Sequence, residues 1–137
     1  MNSVAAAVRR PSRFSVALAL FCLLALVGCQ VKVEEKKRSA SPNGQLEAVI
    51  AIKQTDATVS TPWEVYLVPS GQPVKGDPVF RGARVKDGVS VSWLSDSEVK
   101  IATEEAQIFI QEKSAEVNGP SGKSQIQITY DIPKVID

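Results

Sequence analysis

The chain has 137 residues, with 16 basic and 15 acidic side chains, two cysteines and no histidine. So balanced a charge gains little from a phosphate backbone, which argues against nucleic acid as a partner. Without histidine the Ser-His-Asp and Cys-His arrangements and the histidine zinc sites are excluded, and neither a metal nor a cofactor is expected.

The first predicted element is a secretory signal. Arg9, Arg10 and Arg13 precede an apolar run from Phe14 to Val27, and Gly28-Cys29 follows. As a helix those fourteen residues would span roughly 21 Å, short of the about 30 Å of a bilayer core. A basic start, a short apolar middle and a small residue before cysteine form a lipoprotein-type signal. Leu26-Val27-Gly28-Cys29 resembles the bacterial lipobox, which implies cleavage between Gly28 and Cys29 and covalent lipid (diacylglycerol and palmitate) on Cys29. Cys22 is the poorer candidate, because Phe21 precedes it where a small residue is needed. Arg9-Arg10 followed by Pro11-Ser12 fits a twin-arginine signal badly, so general secretion is expected. Gln30, in place of a retaining aspartate, resembles the outer-membrane-directed class of lipoproteins, which implies the periplasmic face of the outer membrane rather than the inner membrane where the host has both.

Residues 1–28 are therefore read as signal peptide, 29–41 as the lipidated cysteine with a flexible tether, and 42–137 as a β domain. Cleavage leaves 109 residues with 13 basic and 15 acidic side chains. No disulfide is then available, so the core must hold the fold alone. The tether assignment rests on the mixed charge and low apolar content of Gln30 to Ser41. Lys36-Lys37-Arg38 is a candidate contact for anionic headgroups, offset by Glu34 and Glu35.

From residue 42 the hydropathy period is two. Leu46, Ala48, Ile50 and Ile52 share one phase, as do Trp63, Val65 and Leu67, then Val89, Val91 and Trp93, then Val99 and Ile101, then Ile126, Ile128 and Tyr130. Such alternation buries one face of a strand. Asn43-Gly44 and Asp87-Gly88 are hairpin dipeptides, the latter placed to join Val79–Lys86 to Val89–Leu94. Ser95-Asp96-Ser97 is placed to join the next pair, and 69–73 and 118–122 are breaker clusters. Residues 104–117 suit a helix by their charge, but Ile108-Phe109-Ile110 favours a strand over 106–113 with Ile108 and Ile110 inward. The expected fold is all-β, a small antiparallel sandwich or open barrel of about seven strands.

Chemistry-bearing motifs are sparse. Gly119-Pro120-Ser121-Gly122-Lys123-Ser124 looks like part of a phosphate-binding loop, yet Val117 occupies the position of its first glycine and a strand pattern follows. A hairpin loop is the better reading. The acids Asp96, Glu104, Glu105, Glu112 and Asp131 have no calcium-loop or acid/base spacing and read as solvated faces. Trp63 and Trp93 read as core. Tyr66 lies on the opposite phase of its strand and is the candidate surface contact.

Four stretches in order, Ser41-Pro42-Asn43-Gly44 with the strand to Ile50, Glu64 to Pro69, Pro78-Val79-Phe80 and Val91 to Asp96, resemble a family of small bacterial lipoproteins and secreted proteins of uncharacterised activity. The resemblance covers roughly residues 41–112. It departs at Thr55 to Ser60, where Asp56 stands for a glycine, and after Lys113. It implies a fold and a location but no activity. The expected function is a lipid-anchored binding or assembly module of the cell envelope, facing an envelope protein or ligand. The alternatives are a histidine-free enzyme acting through carboxylates, or a structural envelope protein.

Overall fold

A computed structural model describes residues 33–54 and 60–137. Gly28, Cys29 and the rest of the signal lie outside the described residues, as do residues 55–59. The described residues hold ten strands and no helix: β1 (Val33–Ala40), β2 (Leu46–Lys53), β3 (Trp63–Pro69), β4 (Phe80–Ala83), β5 (Ser90–Ser95), β6 (Glu98–Ala102), β7 (Glu105–Gln111), β8 (Ser114–Gly119), β9 (Gly122–Asp131) and β10 (Lys134–Val135). They form a six-stranded sheet in the order β1-β2-β3-β4-β7-β10 and a four-stranded sheet in the order β5-β6-β9-β8. The fold is thus an all-β sandwich, and neither sheet closes into a barrel. Most pairings are antiparallel, but β6 with β9 and β7 with β10 are parallel.

The core between the sheets collects the inward phases. Leu46, Ala48 and Ile50 of β2, Val65 of β3 and Phe80 of β4 meet Val99 and Ile101 of β6 and Ile126 and Ile128 of β9. Trp63, Leu67, Val91 and Trp93 pack against this cluster while keeping some exposure. Gly82 on β4 is needed for space. A Cβ there would stand 2.9 Å from the Phe80 ring and 3.4 Å from the Ala106 methyl.

Three expectations are corrected. Residues 33–40 are strand β1, not tether, paired antiparallel with β2 from Val33 opposite Lys53 to Ala40 opposite Glu47, with a register shift between Glu35 and Lys37. The charges that suggested a solvated linker are those an edge strand carries to discourage further pairing. They also pair locally, Lys36 with Glu34 and Arg38 with both Glu35 and Glu47. Lys36 and Arg38 are thereby engaged within the sheet.

The Asp87-Gly88 turn does not close a hairpin. Both residues have the positive φ expected of them, 58° and 83°. Yet β4 lies in the six-stranded sheet and β5 in the other. Both edges of β4 are already filled, by β3 and β7, so β5 has nowhere to pair with it.

Residues 105–111 form a strand, as preferred, and Ala106 is buried in the core, but of the two isoleucines expected inward only Ile108 packs against it. A register shift opposite Arg81 and Gly82 breaks the alternation, so Arg81 faces Ile110 while Gly82 faces Ile108. Such a bulge changes the phase of the side chains beyond it.

Candidate functional site

The β2 sequence Leu-Glu-Ala-Val-Ile-Ala-Ile-Lys is apolar on both phases, a pattern of strands covered on both faces. Its second face forms a separate cluster, in which Val49 and Ala51 pack with Tyr66 and Val68 of β3, flanked by Val33 and Val74. Val74 belongs to the β3–β4 connection, so this segment lies over the outer face of the six-stranded sheet.

Its near end is fixed by a charged clasp. The backbone N–H of Gly71 donates to Glu47 Oε2 at 2.8 Å. Arg38 Nη1 donates to the same carboxylate and to the Gln72 carbonyl, both at 2.9 Å. Glu35 receives the rest of the guanidinium, Nε at 2.9 Å and Nη2 at 2.6 Å. The Gly71 N–H first, and the Arg38 bond second, hold the Glu47 carboxyl below its ordinary proton affinity.

Beneath the segment is a buried ion pair. Glu64 of β3 stands directly opposite Arg81 of β4 in the ladder, and its side chain is 0 % exposed. Arg81 Nε donates to Glu64 Oε1 at 2.6 Å. The Tyr66 hydroxyl, two residues along on the same face, donates to Glu64 Oε2. Both carboxylate oxygens are therefore occupied. Burial first, and the bond to Glu64 second, push the Tyr66 phenol well above its ordinary value. Tyr66 is 5 % exposed, which corrects its reading as a surface contact. Its phase was read rightly as opposite to Val65, but the covering segment makes that face a second interior. The apolar second phase of β2 was the sequence signal for this.

Between the covering segment and the sheet lies a cavity of about 310 Å³. Its walls include Lys53, Glu64, Tyr66 and Arg81 from the sheet and Lys75 and Asp77 from the segment. Lys53 and Lys75 have no carboxylate partner among the described residues, and the Arg81 side chain keeps 29 % of its surface open.

The scattered acids do not converge as a group. Glu104 pairs with Lys86 at 3.1 Å, and Glu105 with Lys134 at 2.6 Å. Asp96 Oδ1 accepts from the Asn43 N–H at 2.8 Å, tying the β5–β6 turn to the β1–β2 turn. Glu104 and Asp131 do share the wall of a second cavity of about 290 Å³. The glycine-lysine motif is a hairpin, with Gly119 opposite Gly122 and β9 following. Lys123 is 71 % exposed and reaches Glu116 at 3.0 Å. Among the described residues no three acidic, cysteine or histidine side chains are grouped to hold a metal ion. No family model, curated protein or solved structure matches the chain.

Proposed function

We propose that this protein is a lipid-anchored binding module of the bacterial cell envelope, held to the membrane through Cys29. The signal, the lipobox and Gln30 support the location. The observation that carries the binding role is the cavity backed by the Glu64–Arg81 pair. A buried ion pair gives little net stability over a well-packed apolar pair of the same volume. Its place in the wall of an open cavity is what a site for a polar ligand would require. The enzyme reading draws on the cavity shared by Glu104 and Asp131. Two carboxyls are set to acid and base roles by contrasting environments, usually with one of them in a sheltered site. Glu104 is 63 % exposed and already paired, so binding ranks first.

Two measurements test the proposal. Cys29→Ser in the full-length chain should abolish palmitate incorporation and leave an unprocessed precursor. Continued labelling removes the anchor. A photocrosslinking residue at position 33, in the wall of the same cavity, should in intact cells give a discrete adduct that the same residue at position 123 does not. Equal or absent adducts at both positions remove the binding role of this cavity.

A further inference from the structure

We infer that the cavity under the β3–β4 connection receives a phosphate group, held by Lys53, Lys75 and Arg81. The inference rests on the binding-module reading and names its ligand class. Three cations reach this cavity from three separate elements: the end of β2, the covering segment and β4. Glu64, the nearest carboxylate to Arg81, has both oxygens engaged, by Arg81 Nε and by the Tyr66 hydroxyl. It fixes the guanidinium through one N–H and leaves the other four donors of that group for a ligand. With Glu64 and Arg81 offsetting each other, Lys53 and Lys75 face Asp77, which leaves one positive charge in excess.

That arrangement suits phosphate better than carboxylate. A planar carboxylate is satisfied by one guanidinium fork. A tetrahedral phosphate presents three oxygens in different directions, which point-charge lysines and an arginine can meet from separate walls. Val33, Val74 and Pro78 form an apolar part of the same cavity, beside which an organic substituent of a phosphate ester would lie. Asp77 is placed to accept from a hydroxyl of that substituent. The phosphate has two possible sources, a soluble ester or the headgroup of a phospholipid in the membrane that carries the protein.

The test is titration calorimetry of the full chain in non-ionic detergent at low salt, with inorganic phosphate as the probe. One phosphate per chain is expected. Lys53→Gln and Lys75→Gln should each weaken binding about fivefold or more, as loss of a charge-assisted contact requires, and the double variant should show none. Lys123→Ala should bind as the unaltered chain does. Unchanged melting temperatures of the lysine variants would show that they fold. Displacement of phosphate by short-chain phosphatidylglycerol assigns the site to a lipid headgroup, and its failure assigns it to a soluble ester. Absence of saturable binding, or binding indifferent to both lysines, overturns the inference. If phosphate fails while the position-33 adduct persists in cells, only the ligand class falls. If both fail, the binding module falls with it.

Discussion

The Trp93 indole Nε1 donates a 2.8 Å hydrogen bond to the carbonyl of Ser39, joining β5 of one sheet to β1 of the other. Ser39 lies on an edge strand, whose outer carbonyls have no ladder partner. The ring also packs against the main core while staying partly exposed. Full burial of a tryptophan would make its truncation cost about 3–5 kcal/mol. Partial exposure lowers the expectation for Trp93→Ala to about 2–4 kcal/mol by the same area scaling. Trp93→Phe keeps most of the packing and loses the hydrogen bond, at about 1 kcal/mol. Urea unfolding of the two variants checks both values, and equal stabilities for Phe and Ala would show that the ring contributes nothing beyond its bond.

Strand β1 gives a second prediction. A chain beginning at residue 42 lacks β1 and leaves β2 as the edge of the six-stranded sheet. That edge carries Val49, Ile50, Ala51 and Ile52 in sequence, an uncharged template for pairing. It also loses Arg38, and with it part of the clasp on the Gly71–Gln72 backbone. A chain beginning at residue 30 should remain monomeric in light scattering, whereas the chain beginning at 42 should aggregate. Equal solubility and melting temperature would return residues 33–40 to the role of a tether.

How legible these features were depends on what each residue's phase reports. Leu46, Val65, Val99 and Ile126 alternate with polar neighbours, and all lie in the main core. Period two reports that a face is covered, but not by what. Tyr66 and Glu64 share the outward phase of β3, and that face is covered by Val33 of β1 and by Val74, which lies in a segment without periodicity. Strands β1, β8 and β10 escaped for a related reason. They are charged, short or both, and their order comes from ladder bonds to neighbours rather than from their own apolar content. The parallel pairing of β6 with β9 joins segments separated by two other strands, which no local pattern encodes.

The Glu64–Arg81 pair predicts strong non-additivity. Arg81→Met leaves a carboxyl with only the Tyr66 hydroxyl for company in a buried position. Breaking buried pairs costs about 3–5 kcal/mol, and the partial exposure of Arg81 places this case nearer about 2–4 kcal/mol. Replacing both partners, as Glu64→Leu with Arg81→Met, removes the stranded charge and should lie within about 1–2 kcal/mol of the unaltered chain, the remainder being the lost acceptor of Tyr66. A double-mutant cycle in urea measures the coupling. Additive costs would show that the two side chains act independently.

The two tyrosines predict how the fold fails in alkali. The chain has only Tyr66 and Tyr130. Burial is the first cause that pushes both phenols up, followed by the bond to Glu64 for Tyr66 and the Glu112 charge for Tyr130. Tyr130 donates to the Glu112 carbonyl at 2.6 Å and lies 3.2 Å from that of Val79, bonds that a phenolate could not make. A phenol whose folded pKa exceeds its unfolded one favours the folded state fully below the unfolded value, about 10. That contribution is lost as the pH rises from there toward the folded value, because the unfolded chain releases its protons first. Near-ultraviolet titration of the folded protein should therefore show almost no phenolate at about pH 10. Both rings should then ionise together with loss of circular dichroism, in one cooperative step. In urea both should titrate at about pH 10. A half-amplitude step near that pH in the folded protein would show one ring open to solvent. If Tyr66→Phe removed that step, the buried Glu64–Tyr66 bond would be lost with it.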